Sequence, residues 1–123
     1  IRCLSLDVTH FVRAEPARIA AVRAVANPQA EIAAKLLDAS CKLEFSAKGD
    51  RDAPLHDPST VIAATRPKLF EGRRARVDVV TEPGDAFGQT VPTFCDDGNV
   101  LWYERAGDAG VFEELCRLLG GYG

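Results

Sequence analysis

The sequence has no methionine, a single tryptophan and only two histidines among its 123 residues. A chain without an initiator methionine reads as a processed or excised piece of something longer. The first residues, Ile1 to Asp7, lack the charged-then-apolar pattern of a secretory leader. No apolar run approaches the length needed to span a bilayer, which argues against a membrane protein. Positive charge is not in excess: the formal net charge is −3, whereas a nucleic-acid binder normally carries a basic footprint. The longest basic cluster, Arg66, Lys68, Arg73, Arg74 and Arg76, is interleaved with only one aromatic residue, Phe70, and fits a solvated face. The four cysteines, Cys3, Cys41, Cys95 and Cys116, are far apart with no Cys-x-x-Cys spacing. That spacing disfavours zinc, and the ordinary core content disfavours a secreted disulfide framework. Four buried, reduced thiols in a cytoplasmic protein is the expectation.

What is present is a balanced composition, 46% hydrophobic and 27% charged, enough for one domain with a real core. Ile1 to Val8 is rich in aliphatic residues and predicts a buried strand. Glu15-Pro16 opens a helix that Asn27-Pro28 closes, and a second helix is expected from about Pro28 to Phe45. On it, Ile32, Leu36 and Leu43 share one face, with Ala33, Leu37 and Cys41 beside it. Asp57-Pro58 predicts a helix start with Asp57 as the cap. Strands are expected at Arg74 to Glu82, Gln89 to Phe94 and Asn99 to Tyr103, the last two separated by an Asp96-Asp97-Gly98 hairpin turn. Trp102 and Tyr103 fit strand packing against a helix. Val111 to Leu119 places Phe112, Leu115, Cys116 and Leu119 at amphipathic-helix spacing. The order predicts an α/β fold, with Ile1 to Val8 in a mainly parallel sheet, flanking helices and a strand-rich second half.

The pair with most chemical potential is His56-Asp57. An imidazole and a carboxylate at the mouth of a helix can serve side by side as a proton donor and a ligand for a hard metal. The same residues also fit a capping aspartate beside an exposed loop histidine. Asp7 and His10, at the predicted end of the first strand, lie where α/β sites form, yet a structural role is the expectation for both.

The surroundings add a resemblance. Leu6-Asp7-Val8-Thr9 is followed about fifty residues later by His56-Asp57-Pro58, then by Val77-Asp78-Val79-Val80 and by Gly88-Gln89-Thr90-Val91. This order and spacing resemble the C-terminal half of the inosine-uridine-preferring nucleoside hydrolases, over nearly the whole chain. The resemblance implies a Rossmann-like α/β domain of which residues 1–123 form the C-terminal portion. It implies hydrolysis of the N-glycosidic bond of purine or pyrimidine ribonucleosides, through an oxocarbenium-like transition state, to ribose and free base. Asp57 then corresponds to a ligand of an active-site Ca²⁺ that also holds the ribose 2′ and 3′ hydroxyls and the attacking water. His56 corresponds to the proton donor to the leaving base.

The departures from the family pattern matter equally. Nothing in the chain corresponds to the family's aspartate-rich N-terminal calcium loop or to its asparagine-containing ribose segment. Lys48 and Glu44 stand where some members place a tyrosine and a glutamine against the substrate. The calcium site is therefore expected to be incomplete here and the isolated chain inactive. The expected partners are a nucleoside and either further copies of the chain or the missing N-terminal half, with no nucleic acid and no membrane. A non-catalytic remnant acting as a structural or interaction module is the alternative.

Overall fold

The computed structural model describes residues 1–122. In chain order it contains β1 (Arg2–Leu4), α1 (Leu6–Thr9), α2 (Pro16–Ala24), α3 (Pro28–Lys48), α4 (Asp57–Thr65), a 3-10 turn at Pro67–Leu69, β2 (Phe70–Val79), β3 (Thr90–Phe94), β4 (Val100–Ala106) and α5 (Asp108–Gly120). Four strands form one sheet in the order β1-β4-β2-β3. The α/β class and the strand-rich second half agree with the sequence reading. The expected mainly parallel sheet does not: β1 runs parallel to β4, while β2 is antiparallel to both β3 and β4. The physical reason is connection length. Short links join β2, β3 and β4, and a parallel pair needs a crossover of a dozen residues or more. Only β1 is separated from its partner by such a stretch.

The expected strand Ile1–Val8 is a second correction. β1 ends at Leu4, and Leu6–Thr9 wind into one helical turn. The amides of Val8 and Thr9 both reach the Ser5 carbonyl, at 3.1 and 3.2 Å, and His10 N–H reaches Leu6 at 2.9 Å. Val8 and Thr9 are neighbours in sequence and both buried, which a strand with alternating faces does not allow.

The helices follow their sequence signals closely. Asn27 caps α3, accepting from the Ala30 amide at 2.8 Å, and its amide group also donates to the Leu119 carbonyl at 2.8 Å. One side chain thus satisfies the start of α3 and ties it to the end of α5. The inner face of α3 is built on Ala30 and Ala34, with Ala33, Leu37 and Cys41 beside them, packed with Val22 and Ile19 of α2. Ile32, Leu36 and Leu43 remain exposed. On α5, Val111 and Phe112 are buried and Leu115, Cys116 and Leu119 are half-buried. Arg18 of α2 holds the start of α5 through two bonds to the Asp108 carboxylate, at 2.5 and 2.7 Å, and lies over the Phe112 ring. No helix among the described residues is long and apolar enough to cross a membrane.

β2 begins four residues earlier than expected, because its charged first half pairs with β4 while its second half, from Ala75, pairs with β3. The Asp96-Asp97-Gly98 turn consequently joins two strands that both pair with β2 and not with each other, which corrects the hairpin reading. Gly98 makes that link possible, since a Cβ there would sit 2.4 Å from the Ala75 carbonyl carbon. Buried Tyr103 packs on Phe70 of the neighbouring β2, ring centroids 5.4 Å apart, a strand residue where the sequence reading expected a helix. The basic cluster is mostly engaged: Arg66, Arg73 and Arg76 pair with Glu114, Glu104 and Asp78, and Arg74 donates to the Gly98 carbonyl. The four thiols are free and half-buried, less covered than expected.

Two predictions follow from this packing. Gly98→Ala forces a methyl group against backbone that cannot swing aside, and should cost ~1–3 kcal/mol in urea unfolding. A change confined to the denatured state would instead be small and stabilising. The second concerns Glu114, which is 6% exposed. Hydrogen bonds from Arg117, with further help from Arg66, outweigh its burial and lower its pKa from 4.5 to about 2. A lowered carboxylate pKa means that the unfolded chain binds the proton more readily, so stability falls as pH drops. This contribution is complete above pH 4.5 and lost as pH falls through about 2. Glu114→Gln should flatten urea-stability curves across that window; equal slopes in the two proteins would contradict the pairing.

Candidate active site

Two chain segments build the site, and a short antiparallel contact joins them. The Ala14 amide donates to Ala53 O and the Leu55 amide to Val12 O, each at 2.8 Å, around an Arg13–Pro54 bridge. All four of these hydrogen-bonding residues are buried. Cys41 of α3 braces the contact, its Sγ accepting from the Ala53 amide at 3.3 Å and donating to Ala14 O at 3.5 Å. The pairing fixes where each segment continues: Thr9 and His10 lie just before it on one side, His56 and Asp57 just after it on the other.

Thr9 Oγ1 and His56 Nδ1 accordingly meet at 2.6 Å. The His10 ring stands edge-on to that of His56, centroids 5.0 Å apart and planes at 87°. No hydrogen bond reaches His56 Nε2 among the described residues. Burial, then the neighbouring His10, lowers the pKa of His56 from its ordinary 6.5, while Asp57 and Glu44 pull the other way and Lys48 adds to the lowering. Glu44 and Lys48 pair with each other at 3.2 Å on α3.

Asp57 is the first residue of α4, and the cap position belongs to His56. The expected capping aspartate is thus corrected by one residue. His56 already has helical backbone angles, φ −76° and ψ −76°, and no side chain caps the helix. The Asp57 carboxylate is left exposed at the positive end of α4, a favourable place for an anion. Buried Ser59 donates to Leu55 O at 2.5 Å and holds this first turn against the preceding segment. His56 and Asp57 border a cleft of about 470 Å³, walled by Leu36, Leu37 and Ser40 of α3, Leu55 and Leu115. That volume suits a small organic molecule.

The sequence profile of the inosine-uridine preferring nucleoside hydrolases matches residues 1–114. The chain belongs to this family. Among similar proteins, an uncharacterized protein of Schizosaccharomyces pombe is 30% identical over 121 residues, which is 95% of this chain and 39% of that protein. The pyrimidine-specific ribonucleoside hydrolase RihA of Shewanella woodyi is 38% identical over 92 residues, 74% of this chain and 30% of its own length. A plant nucleoside hydrolase structure superimposes with a TM-score of 0.81 at 18% identity, over 98% of this chain and 41% of that one. A purine-preferring ribonucleoside hydrolase from Gardnerella vaginalis gives 0.79 at 21% identity, over 98% and 39%. These two likenesses bear on the fold. This chain therefore spans well under half the length of each of these relatives.

The sequence singled out His56 and Asp57, and the structure puts them side by side at one helix start. It did not single out Thr9, and it weighed His10 toward a structural role, although both lie against the His56 ring. The available signal for Thr9 was its place in the Leu6-Asp7-Val8-Thr9 motif, obscured by the reading of that motif as strand. Asp7 is exposed in the first turn of α1, and no bond of its side chain to the site is observed.

Proposed function

We propose that this chain supplies the proton-donating and one metal-binding element of a calcium-dependent ribonucleoside N-glycosidase. The observation that carries this reading is the pairing of a half-buried imidazole, its Nε2 free of protein partners, with an exposed carboxylate on the next residue, both bordering one cleft. The family membership gives that pairing its reaction: water adds to the ribose anomeric carbon, the N-glycosidic bond breaks, and its electron pair leaves with the base. His56, in its protonated form, gives its Nε2 proton to the departing base nitrogen, the added water loses a proton to solvent, and the products are ribose and free base. A lowered pKa makes the imidazolium scarcer at neutral pH and a stronger acid when it forms.

Asp57 offers the hard oxygen that Ca²⁺ prefers, and its exposure leaves both oxygens available. It fits the metal in kind, as one ligand of the 6 to 8 that the ion takes. Among the described residues no group of three or more His, Cys, Asp or Glu side chains gathers as a metal site. The remaining ligands are to be sought elsewhere in the active protein. When bound, the ion would hold the ribose hydroxyls and lower the pKa of the attacking water. Leu36 and Leu37 give the cleft an apolar wall against which a planar base could lie. Whether that base is purine or pyrimidine depends on contacts beyond these residues.

The test uses an active protein that contains this chain. Asp57→Ala should abolish turnover of every substrate. His56→Ala should slow inosine hydrolysis by roughly 10² to 10⁴-fold. It should barely affect p-nitrophenyl riboside, whose leaving group needs no acid. Equal losses on the two substrates would remove His56 from the proton-donor role.

A further inference from the structure

We propose that Thr9 is the positioning residue for His56, holding Nδ1 inward so that Nε2 is the only ring nitrogen presented for reaction. This rests on the proton-donor reading for its catalytic meaning, while the holding itself is a property of the chain alone.

The geometry carries the assignment in three ways. Thr9 is 3% exposed, so its hydroxyl is largely shielded from bulk water. Its β-branched side chain has two χ1 rotamers open to it on a helix, and it sits on a helical turn anchored by the Ser5 and Leu6 carbonyls. The rotamer in this structure is the one that brings the oxygen to Nδ1. The other acceptors within range of the hydroxyl, Leu6 O at 3.4 Å and Ser5 O at 3.5 Å, are far weaker partners than Nδ1 at 2.6 Å. Either partner can donate across this contact, depending on the ring tautomer, and a hydroxyl can serve as donor or acceptor. With a neutral ring, the Thr9 hydroxyl donates to Nδ1, and the ring proton resides on Nε2.

A hydroxyl suits this position because it can also accept. When the ring is protonated, Nδ1–H donates to Thr9 Oγ1 and the hydroxyl hydrogen turns to the Leu6 carbonyl. The proton released to a base then comes from Nε2, which leaves the neutral ring protonated on Nδ1 until exchange with solvent restores the resting tautomer with its proton on Nε2. A carbonyl in place of Thr9 would fit only a protonated Nδ1, and a methyl group neither state. His10, edge-on to the same ring, limits its rotation from a second direction.

The test is side-chain NMR on the ¹⁵N-labelled chain at about pH 8, where an imidazole is neutral. In the wild type, cross-relaxation should link Thr9 to the His56 Hε1 proton, which flanks Nδ1, and not to Hδ2. The ring nitrogens should report a proton on Nε2. Thr9→Val, which keeps the shape and removes the hydroxyl, should shift both ring-nitrogen signals toward a tautomer average. Thr9→Ser should restore the wild-type pattern. Contacts from Thr9 to Hδ2 in the wild type would overturn the proposal even if the valine variant failed to fold. So would ring-nitrogen signals unchanged in a folded Thr9→Val. A held ring in a protein whose inosine cleavage ignores His56→Ala would instead defeat the proton-donor reading and leave the positioning role intact.

Discussion

The site depends on the two backbone hydrogen bonds that join Val12–Ala14 to Ala53–Leu55. Almost forty residues, including the whole of α2 and α3, separate these segments, so nothing local brings Thr9 to His56. Both bonds are between buried groups, and breaking either would leave a donor and an acceptor unsatisfied away from water, each at a cost of ~1–3 kcal/mol. The contact thus behaves as a fixed register. Thr9, His10, His56 and Asp57 are where they are because each is a set number of residues from it. Cys41 adds the third side of the arrangement, which makes the half-buried thiol a structural bridge between α3 and the paired segments.

A preorganised element of this kind is what the proposed acid catalysis at a helix start would require. His56 is held on one nitrogen and free on the other, and its helical backbone angles put Asp57 one residue further along with its carboxylate uncommitted. Had Asp57 capped α4, as its sequence context predicts, the carboxylate would have been occupied by backbone amides and less available to a metal. The shift of a single residue separates an aspartate tied to backbone amides from one left free for the proposed ligand role. The exposed apolar residues Leu36, Leu43 and Phe45 of α3 lie on the same helix that walls the cleft, so that wall is open on its outer side.

The helical half of the fold was legible because its punctuation is strong. Asn27-Pro28, Asp57-Pro58 and the Phe112–Leu119 stripe each mark an element through local chemistry. The strands were less so. Glu71, Gly72 and Arg73 show no alternation, yet they pair with β4 because Gly72 lets its chain approach the Trp102 backbone at a bulge. Leu6–Thr9 looks like strand by composition, and a tertiary preference made it helix. That misreading also concealed Thr9: on a strand its hydroxyl had no assigned direction, whereas on a turn it faces His56. Contacts between residues 47 positions apart leave no periodic trace in one sequence. His56 and Asp57 were visible because they are adjacent; Thr9 was not singled out, and His10 was weighed toward a structural role, because their partner is distant.

The most direct check is a double-mutant cycle between Thr9 and His56, read by urea unfolding of Thr9→Val, His56→Phe and the combined variant. Removing either partner costs the other its short hydrogen bond in a partly buried place, so the penalties should overlap. The double variant should be less destabilised than the sum of the singles by ~0.5–1.5 kcal/mol. Penalties that simply add, within the ~0.3–0.5 kcal/mol expected of independent sites, would mean that the two side chains do not meet and that this account of the site is wrong.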